Sequence, residues 1–333
     1  MLEKFLFLLT PHKINFMAST RDIRRRIKSV GNTQKITRAM EMVSAAKMRK
    51  SVVSVLAIRP YAHAAWSVLT NLSRAFESNR TGLLEVREVK RVLAIAITSN
   101  KGLCGAFNAQ LIKKIKDEIA HPEKLAINRI GKEKIESESK DIEIDFITIG
   151  KKGEGVVRKA EKNIIASFND LTYLPKIDDV RAVGKIVRDD YLAKKYDKVV
   201  VFYTDYVSAL SQQAKVRQIL PISKIDLEKQ IAEMDVLAKE YGLNAPVSEY
   251  KVEPNPEAVL EYIIPRLIDM QIYHAILESN AAKESARMMA MRGATDAAGE
   301  MRDDLTFVYN QIRQMKITQE IAEISAGRAA LES

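Results

Sequence analysis

The strongest constraint on this chain is a heptad seam near its C-terminus. Met291, Ala294, Ala298, Met301, Leu305, Val308, Ile312 and Met315 step by alternating threes and fours, the spacing with which one helix lies along another. The seam then changes character and continues through Gln319, Ala322, Ala326 and Ala329. If residues 255–331 form one helix, a rise of about 1.5 Å per residue makes it about 110 Å long. A rod of that length outruns a single globular domain, so it is either a spacer or a shaft. Pro256 falls at the helix start, where proline is tolerated, and Pro265 is expected to bend the rod slightly.

A helix with one apolar seam needs a partner, because most helix stability comes from packing that face. The other long helical pattern lies at the N-terminus. Ser19 or Thr20 can cap it, and Ile23, Ile27, Val30, Ile36, Met40 and Val43 share one broad face. It runs on past Val53 and Leu56, with Pro60 expected to bend it without ending it. Pairing the two ends antiparallel buries both seams. The N-terminal helix is the shorter, so the last turns, residues 317–330, should protrude. Ala322, Ala326, Gly327, Ala329 and Ala330 make that tip slim and suit it to a snug protein sleeve, although a frayed end has a similar composition.

Residues 21–50 carry ten Lys/Arg against only Asp22 and Glu41. A solvated helix face, a nucleic-acid surface and an acidic protein surface all fit that charge. Helices that read DNA usually mix Asn, Gln or aromatic groups among the cations. The acidic-protein reading gains if this helix is already paired with the C-terminal rod. Arg24, Arg25 and Arg26 form the densest part of the basic face.

Between the two ends the pattern alternates. Residues 89–98 are a continuous apolar run suited to a buried strand. Strands are also expected at 142–149, 163–168, 198–203 and 214–221, with helices running through Ile115 and Ile119 and over 153–161 and 178–195. That alternation predicts a mostly parallel sheet in an α/β domain over residues 88–222. Residues 131–141 read as a charged surface loop, and residues 223–254 as a connection with a helix over 228–241. The division expected is a non-structural extension (1–16), an N-terminal coiled-coil helix (17–75), the α/β domain (88–222), the connection (223–254) and the C-terminal helix (255–331).

The turn from Ser99 to Gly105 joins a strand to a helix and could cradle a phosphate. It matches neither the phosphate-loop nor the dinucleotide fingerprint, so tight strand–helix packing is the preferred use of its glycines, with Cys104 a small packed residue. A nucleotide-binding enzyme is one alternative class; a basic coiled-coil adaptor or nucleic-acid-binding protein is another. Neither a catalytic set nor a metal-ligating cluster is visible. His121 is the one histidine of the α/β domain, and nothing places it near a nucleophile.

Composition narrows the classes further. Of 333 residues, 47% are hydrophobic but only 6% aromatic, which favours long helices over a large compact core. The net charge of +10 points to an acidic partner. The single cysteine excludes an internal disulfide framework. No run of about 18 apolar residues is present, so no transmembrane helix is expected. Met17 looks like a natural start, which makes residues 1–16 an upstream extension; a trimmed organelle-targeting peptide is the alternative.

Four motifs carry a resemblance. They are Lys35-Ile36-Thr37-Arg38-Ala39-Met40-Glu41-Met42-Val43 with Lys47-Met48-Arg49; Gly102-Leu103-Cys104-Gly105; Ala286-Arg287-Met288-Met289-Ala290-Met291 with Ala294-Thr295-Asp296; and Tyr309-Asn310 through Arg313-Gln314 to Ile317-Thr318-Gln319-Glu320. In this order, from about residue 17 to 330, the chain resembles the gamma subunit of the F-type ATP synthase. The resemblance implies an antiparallel coiled coil of the terminal helices with an inserted Rossmann-like α/β domain. It implies a rotating shaft within a ring of alpha and beta subunits, its foot near the epsilon subunit and the membrane rotor ring. Met40 would then face an acidic lever of a beta subunit. Arg287, Gln314, Thr318 and Glu320 would form the coupling surface, with Arg313 and Gln314 against a beta loop. Glu253 would lie in the foot; Val252 stands where the family commonly has tyrosine. The resemblance implies no cofactor, no catalytic residue, no nucleic acid and no membrane insertion. With Cys104 alone, it implies no thiol control. The implied location is the cytoplasmic face of a bacterial inner membrane, or the mitochondrial matrix face if residues 1–16 are a targeting peptide.

Overall fold

The computed structural model describes residues 20–71, 82–130, 133–135, 142–222, 224–240 and 256–332. The expected extension over residues 1–16, and Glu253 with it, lie outside them. Two long helices dominate. The first, α1, spans Thr20–Asn71 and contains Pro60; the last, α6, spans Pro256–Glu332 and contains Pro265. Neither proline ends its helix: each removes one backbone donor, and the packed faces on both sides hold the helix together. Two compact units are present. One combines the chain up to Glu41 with the chain from Met291 onward, and the other is Met42–Ala290.

In the first unit α1 and α6 run antiparallel. Ile23, Met291 and Ala298 are buried there, and Leu305, Val308 and Ile312 are half-buried. The middle of the contact is polar. The Thr295 hydroxyl donates to Thr37 Oγ1 at 2.8 Å, Thr37 donates to the Gln34 carbonyl at 3.0 Å, and Arg302 Nη1 donates to Gln34 Oε1 at 3.1 Å. The expected seam is corrected at two positions. Met301 is 55% exposed, because its neighbour Arg302 takes up the contact with α1, and Met315 is 43% exposed on the open end of α6.

The second unit is built on a five-stranded sheet. Its strands are β1 (Arg91–Ile97), β4 (Glu143–Ile149), β5 (Ile164–Phe168), β6 (Lys198–Tyr206) and β7 (Gln212–Leu220). They lie in the order β5-β4-β1-β6-β7, with β7 antiparallel to β6 and the other pairs parallel. A separate hairpin of β2 (Asn128–Ile130) and β3 (Glu133–Ile135) corrects part of the loop expected over 131–141. Both faces of the large sheet are covered, as a parallel sheet requires. Leu93, Ile95, Val199, Val201 and Tyr203 face α4 (Ile177–Leu192) and the Ile264–Ile276 part of α6. Val92, Ala94, Val200 and Phe202 face α2 (Phe107–Ala120) and α3 (Lys151–Lys159).

Two further devices fix this unit. Gly150 ends β4 at φ +99°, where a Cβ would stand 2.4 Å from the Thr98 carbonyl oxygen. That close approach lets Thr98 Oγ1 donate to the Gly150 carbonyl at 3.0 Å and accept from Gly153 N at 2.8 Å, tying β1 to α3. Within the expected connection lies α5 (Lys224–Glu240), held to α1 through Asp235. Arg59 Nε and His63 Nε2 both reach Asp235 Oδ1, at 2.7 and 2.8 Å. Burial works against that carboxylate, but the two hydrogen bonds prevail and hold its pKa below the usual value.

Candidate functional site

An open sheet of this topology offers one ready ligand position, the crevice beyond the carboxyl ends of the strands where the strand order reverses. Here that point lies between β1 and β6. It is occupied by the chain's own helices. Cys104, Phe107 and Tyr206 pack there with Leu277, Ala281, Ala282 and Ala286 of α6 and with Met48, Val52 and Val55 of α1. Ser279 Oγ accepts the Thr204 amide at 3.0 Å. Gly105, at φ +53°, brings the turn so close that a Cβ would meet the Ala286 carbonyl at 3.6 Å. Ser99 and Asn108 close the turn on itself: Asn108 Oδ1 accepts from Ser99 N at 3.1 Å, and its Nδ2 donates to Cys104 Sγ at 3.1 Å. The turn is used for packing, which removes the ground for the nucleotide-enzyme alternative.

Beside the crevice sits a basic group. Arg287 is half-buried and its guanidinium is bound to Glu284 at 2.5 Å. Lys283 donates to Asn280 Oδ1 at 2.6 Å, and burial, more than any neighbouring charge, pushes its ammonium down to about 8. Lys47 Nζ lies 5.2 Å from the centre of the Tyr173 ring.

The other sequence-predicted residues lie on the long helices. Arg24, Arg25 and Arg26 are exposed on α1, with Arg25 3.3 Å from Asp22 in a solvated pair; such pairs contribute little to stability. Met40 is half-buried. Arg313, Gln314, Thr318 and Glu320 are exposed on α6, and the Thr318 hydroxyl donates to the Gln314 carbonyl one turn back at 3.0 Å. Arg287 is therefore tied into the packed unit, whereas these four stand on open helix.

That open helix is the most unusual surface in the molecule. Every residue from Arg313 to Leu331 is exposed. Ile317, Ile321 and Ile324 are 47, 59 and 73% exposed and, spaced by four and three, form one stripe. Ala322, Ala326 and Ala329, spaced the same way, form another. Nothing in the described chain covers either stripe, and a lone helix of this kind draws its stability from a surface it docks into. Sequence reasoning found the small-residue stripe; the isoleucine stripe carried a signal in the same spacing and was missed.

The catalytic alternatives find no support in the geometry. His121 is exposed and 3.3 Å from Glu123. Among the described residues no group of three or more His, Cys, Asp and Glu is placed to hold a metal ion. No helix among them is long and apolar enough to cross a membrane.

A protein-family model described as ATP synthase matches residues 19–331. The ATP synthase gamma chain of Roseiflexus castenholzii is 38% identical over 317 residues, 95% of this chain and 99% of that one. The chain belongs to the ATP synthase gamma chain family. The gamma chain of Legionella pneumophila is 35% identical over 315 residues, covering 95% of this chain and all of the relative. Among solved structures, the rotor of Euglena gracilis mitochondrial ATP synthase matches with a TM-score of 0.57 at 16% identity, over 90% of this chain and 98% of the other. The central stalk of the Tetrahymena thermophila enzyme matches with a TM-score of 0.53 at 23% identity, over 78% and 99%. These two likenesses bear on the fold: long terminal helices around a central, mostly parallel sheet. The function is that of a subunit of the ATP synthase, and ATP synthesis belongs to the complex as a whole.

Proposed function

We propose that this chain is the rotating central shaft of an F-type ATP synthase, a non-catalytic subunit that couples ion flow through a membrane rotor ring to ATP synthesis or hydrolysis in a ring of alpha and beta subunits. The observation that carries this reading is the bare end of α6, a helix with an apolar stripe that the described residues leave open and that fits a protein sleeve. The basic face with Arg24, Arg25 and Arg26, together with Met40, meets acidic levers of the beta subunits. Arg313, Gln314, Thr318 and Glu320 meet the ring higher on the shaft, and Arg287 does so near the neck. The foot, with Glu253, contacts the epsilon subunit and the rotor ring. In a bacterium the shaft stands on the cytoplasmic face of the inner membrane.

Mechanically, a rotor favours one conformation of a neighbour only if it contacts each neighbour differently. Two unlike helix faces, one of isoleucine and one of alanine, supply that difference at the tip, and the arginine cluster of α1 adds to it lower down. The test is co-expression with alpha and beta subunits from the same source, followed by ATPase assay of the purified assembly. One copy of this chain per ring is expected, with activity lost on deletion of residues 313–333. A chain that purifies alone while the ring subunits ignore it would overturn the reading. Strong, salt-dependent DNA binding by that free chain would favour the nucleic-acid adaptor instead.

A further inference from the structure

In the unit that pairs the two long helices, apolar packing is thin. Five of its described side chains are buried: Ile23, Met291 and Ala298, and with them Thr37 and Thr295. Ile27 and Val30 of α1 and Leu305, Val308 and Ile312 of α6 are only half-buried. Apolar contact is non-directional and scales with area. A seam of this kind holds two helices together, but a shifted pairing buries nearly the same area, so it sets their relative position weakly.

One layer of the contact is directional. The Thr37 and Thr295 hydroxyl oxygens are 2.8 Å apart across the interface. Gln34 lies over Gly299, where an added Cβ would stand 2.9 Å from its Nε2. Its Oε1 accepts from Arg302 Nη1 at 3.1 Å, and its Nε2 points at the Thr295 carbonyl, 3.5 Å away. These groups fit in one register. One heptad either side of Thr295 stand Met288 and Arg302, neither with a hydroxyl. One heptad either side of Gly299 stand Arg292 and Thr306, whose side chains fill the space that glycine leaves. A shift by a heptad therefore strips the Thr37 hydroxyl of its partner and drives the Gln34 amide onto a side chain. Leaving a buried polar group unpaired is costly, which is how a polar position in a helix seam specifies register at some expense of stability.

We propose that Gln34, Thr37, Thr295 and Gly299 form a register lock, which stops α1 from sliding or rolling on α6 and makes the two helices turn as one body. The lock is a property of the chain by itself. Its use rests on the shaft reading above. Torque met by the exposed Arg313, Gln314, Thr318 and Glu320 of α6 reaches Arg24, Arg25 and Arg26 of α1 undiminished only if the two helices keep a fixed relation.

The experiment uses the full chain with Cys104→Ala, which removes its one thiol, and spin labels on Lys28→Cys and Gln311→Cys, both exposed and offset along the pair. Pulsed electron resonance reads the distance between the labels, with the lock intact and with Gln34→Leu, Thr37→Val and Thr295→Val together. One narrow distance is expected with the lock. Without it the distribution should become at least about twice as wide, or split by about 5 Å, one helical turn. The urea midpoint should hold or rise, because apolar groups of the same shape leave nothing unpaired. A distribution that the three substitutions leave unchanged, or one already broad with the lock intact, would overturn the lock. Should the triple variant unfold, Gly299→Ala decides in its place, since one methyl fills the notch and should broaden the distribution likewise. Assembled with the ring and the membrane rotor, the lock-free chain should pump fewer protons per ATP. Equal pumping by a variant with broadened distances would overturn the mechanical use and leave the lock. A chain that fails to join the ring even with its lock intact would overturn the shaft reading instead, and the lock would stand on the distances alone.

Discussion

Replacing Ile317, Ile321 and Ile324 together by serine tests the bare end of α6 without touching any packed contact. The three side chains are 47, 59 and 73% exposed in the free chain. Wholly burying one such side chain is worth about 1.5–3 kcal/mol, so seating the stripe in a sleeve stands to gain about 3–5 kcal/mol in total. Losing that gain weakens assembly by about two to four orders of magnitude. The isolated chain has nothing to lose at these positions beyond small differences in helix propensity, so its urea midpoint should stay where it is. The assay is reconstitution with alpha and beta subunits over a range of concentrations of this chain, reading ATPase activity and co-elution. A triple variant that assembles at wild-type concentrations would show that the stripe stays in water, and the sleeve argument would fail. A lowered midpoint in the free chain would show that the stripe packs at home.

Other predictions concern separate parts of the molecule. Reversing charge at Arg24, Arg25 and Arg26 should leave folding within about 0.5 kcal/mol per site yet weaken coupling; unchanged ATP-driven proton pumping counts against that. Gly150→Ala combines a φ of +99° with a Cβ 2.4 Å from the Thr98 carbonyl and should cost about 3 kcal/mol or more in urea unfolding. Glu154 accepts hydrogen bonds from Asn169, Arg158 and Ser167, which hold its pKa at about 2, down from 4.5. Its contribution is therefore present above 4.5 and lost as pH falls toward 2. Glu154→Gln should flatten that acid limb when unfolding midpoints are compared over the same range.

The parts of the fold that repeat at a fixed spacing were legible in the sequence. The threes and fours from Met291 to Met315 gave the helix pair, and the apolar runs within 89–98 and 198–203 gave a sheet covered on both faces. The antiparallel edge was within reach of the same reasoning. Only residues 207–211 separate β6 from β7, too few for a parallel crossover. The Met301 position misled because periodicity ranks side chains by apolarity, while the actual contact is settled by which group meets Gln34, and Arg302 does. The ionic cluster of β6, β7, α5 and α6 was opaque for a deeper reason. Asp205, Lys215, Arg217, Glu233 and Glu278 look like ordinary surface charges along the chain. They gather into one partly buried cluster only when a strand pair, a connecting helix and the C-terminal helix converge, and no local pattern encodes that convergence.

The filled crevice at the ends of β1 and β6 has one more consequence. Its occupant, the Leu277–Ala286 part of α6, is covalently attached to the sheet it covers and behaves as a tethered competitor. Attached competitors act at effective concentrations of about the millimolar range or above, whatever the solution around them contains. A free nucleotide must displace a segment that never diffuses away and that is itself packed on both sides. At this crevice the domain is thereby deaf to the rise and fall of small metabolites.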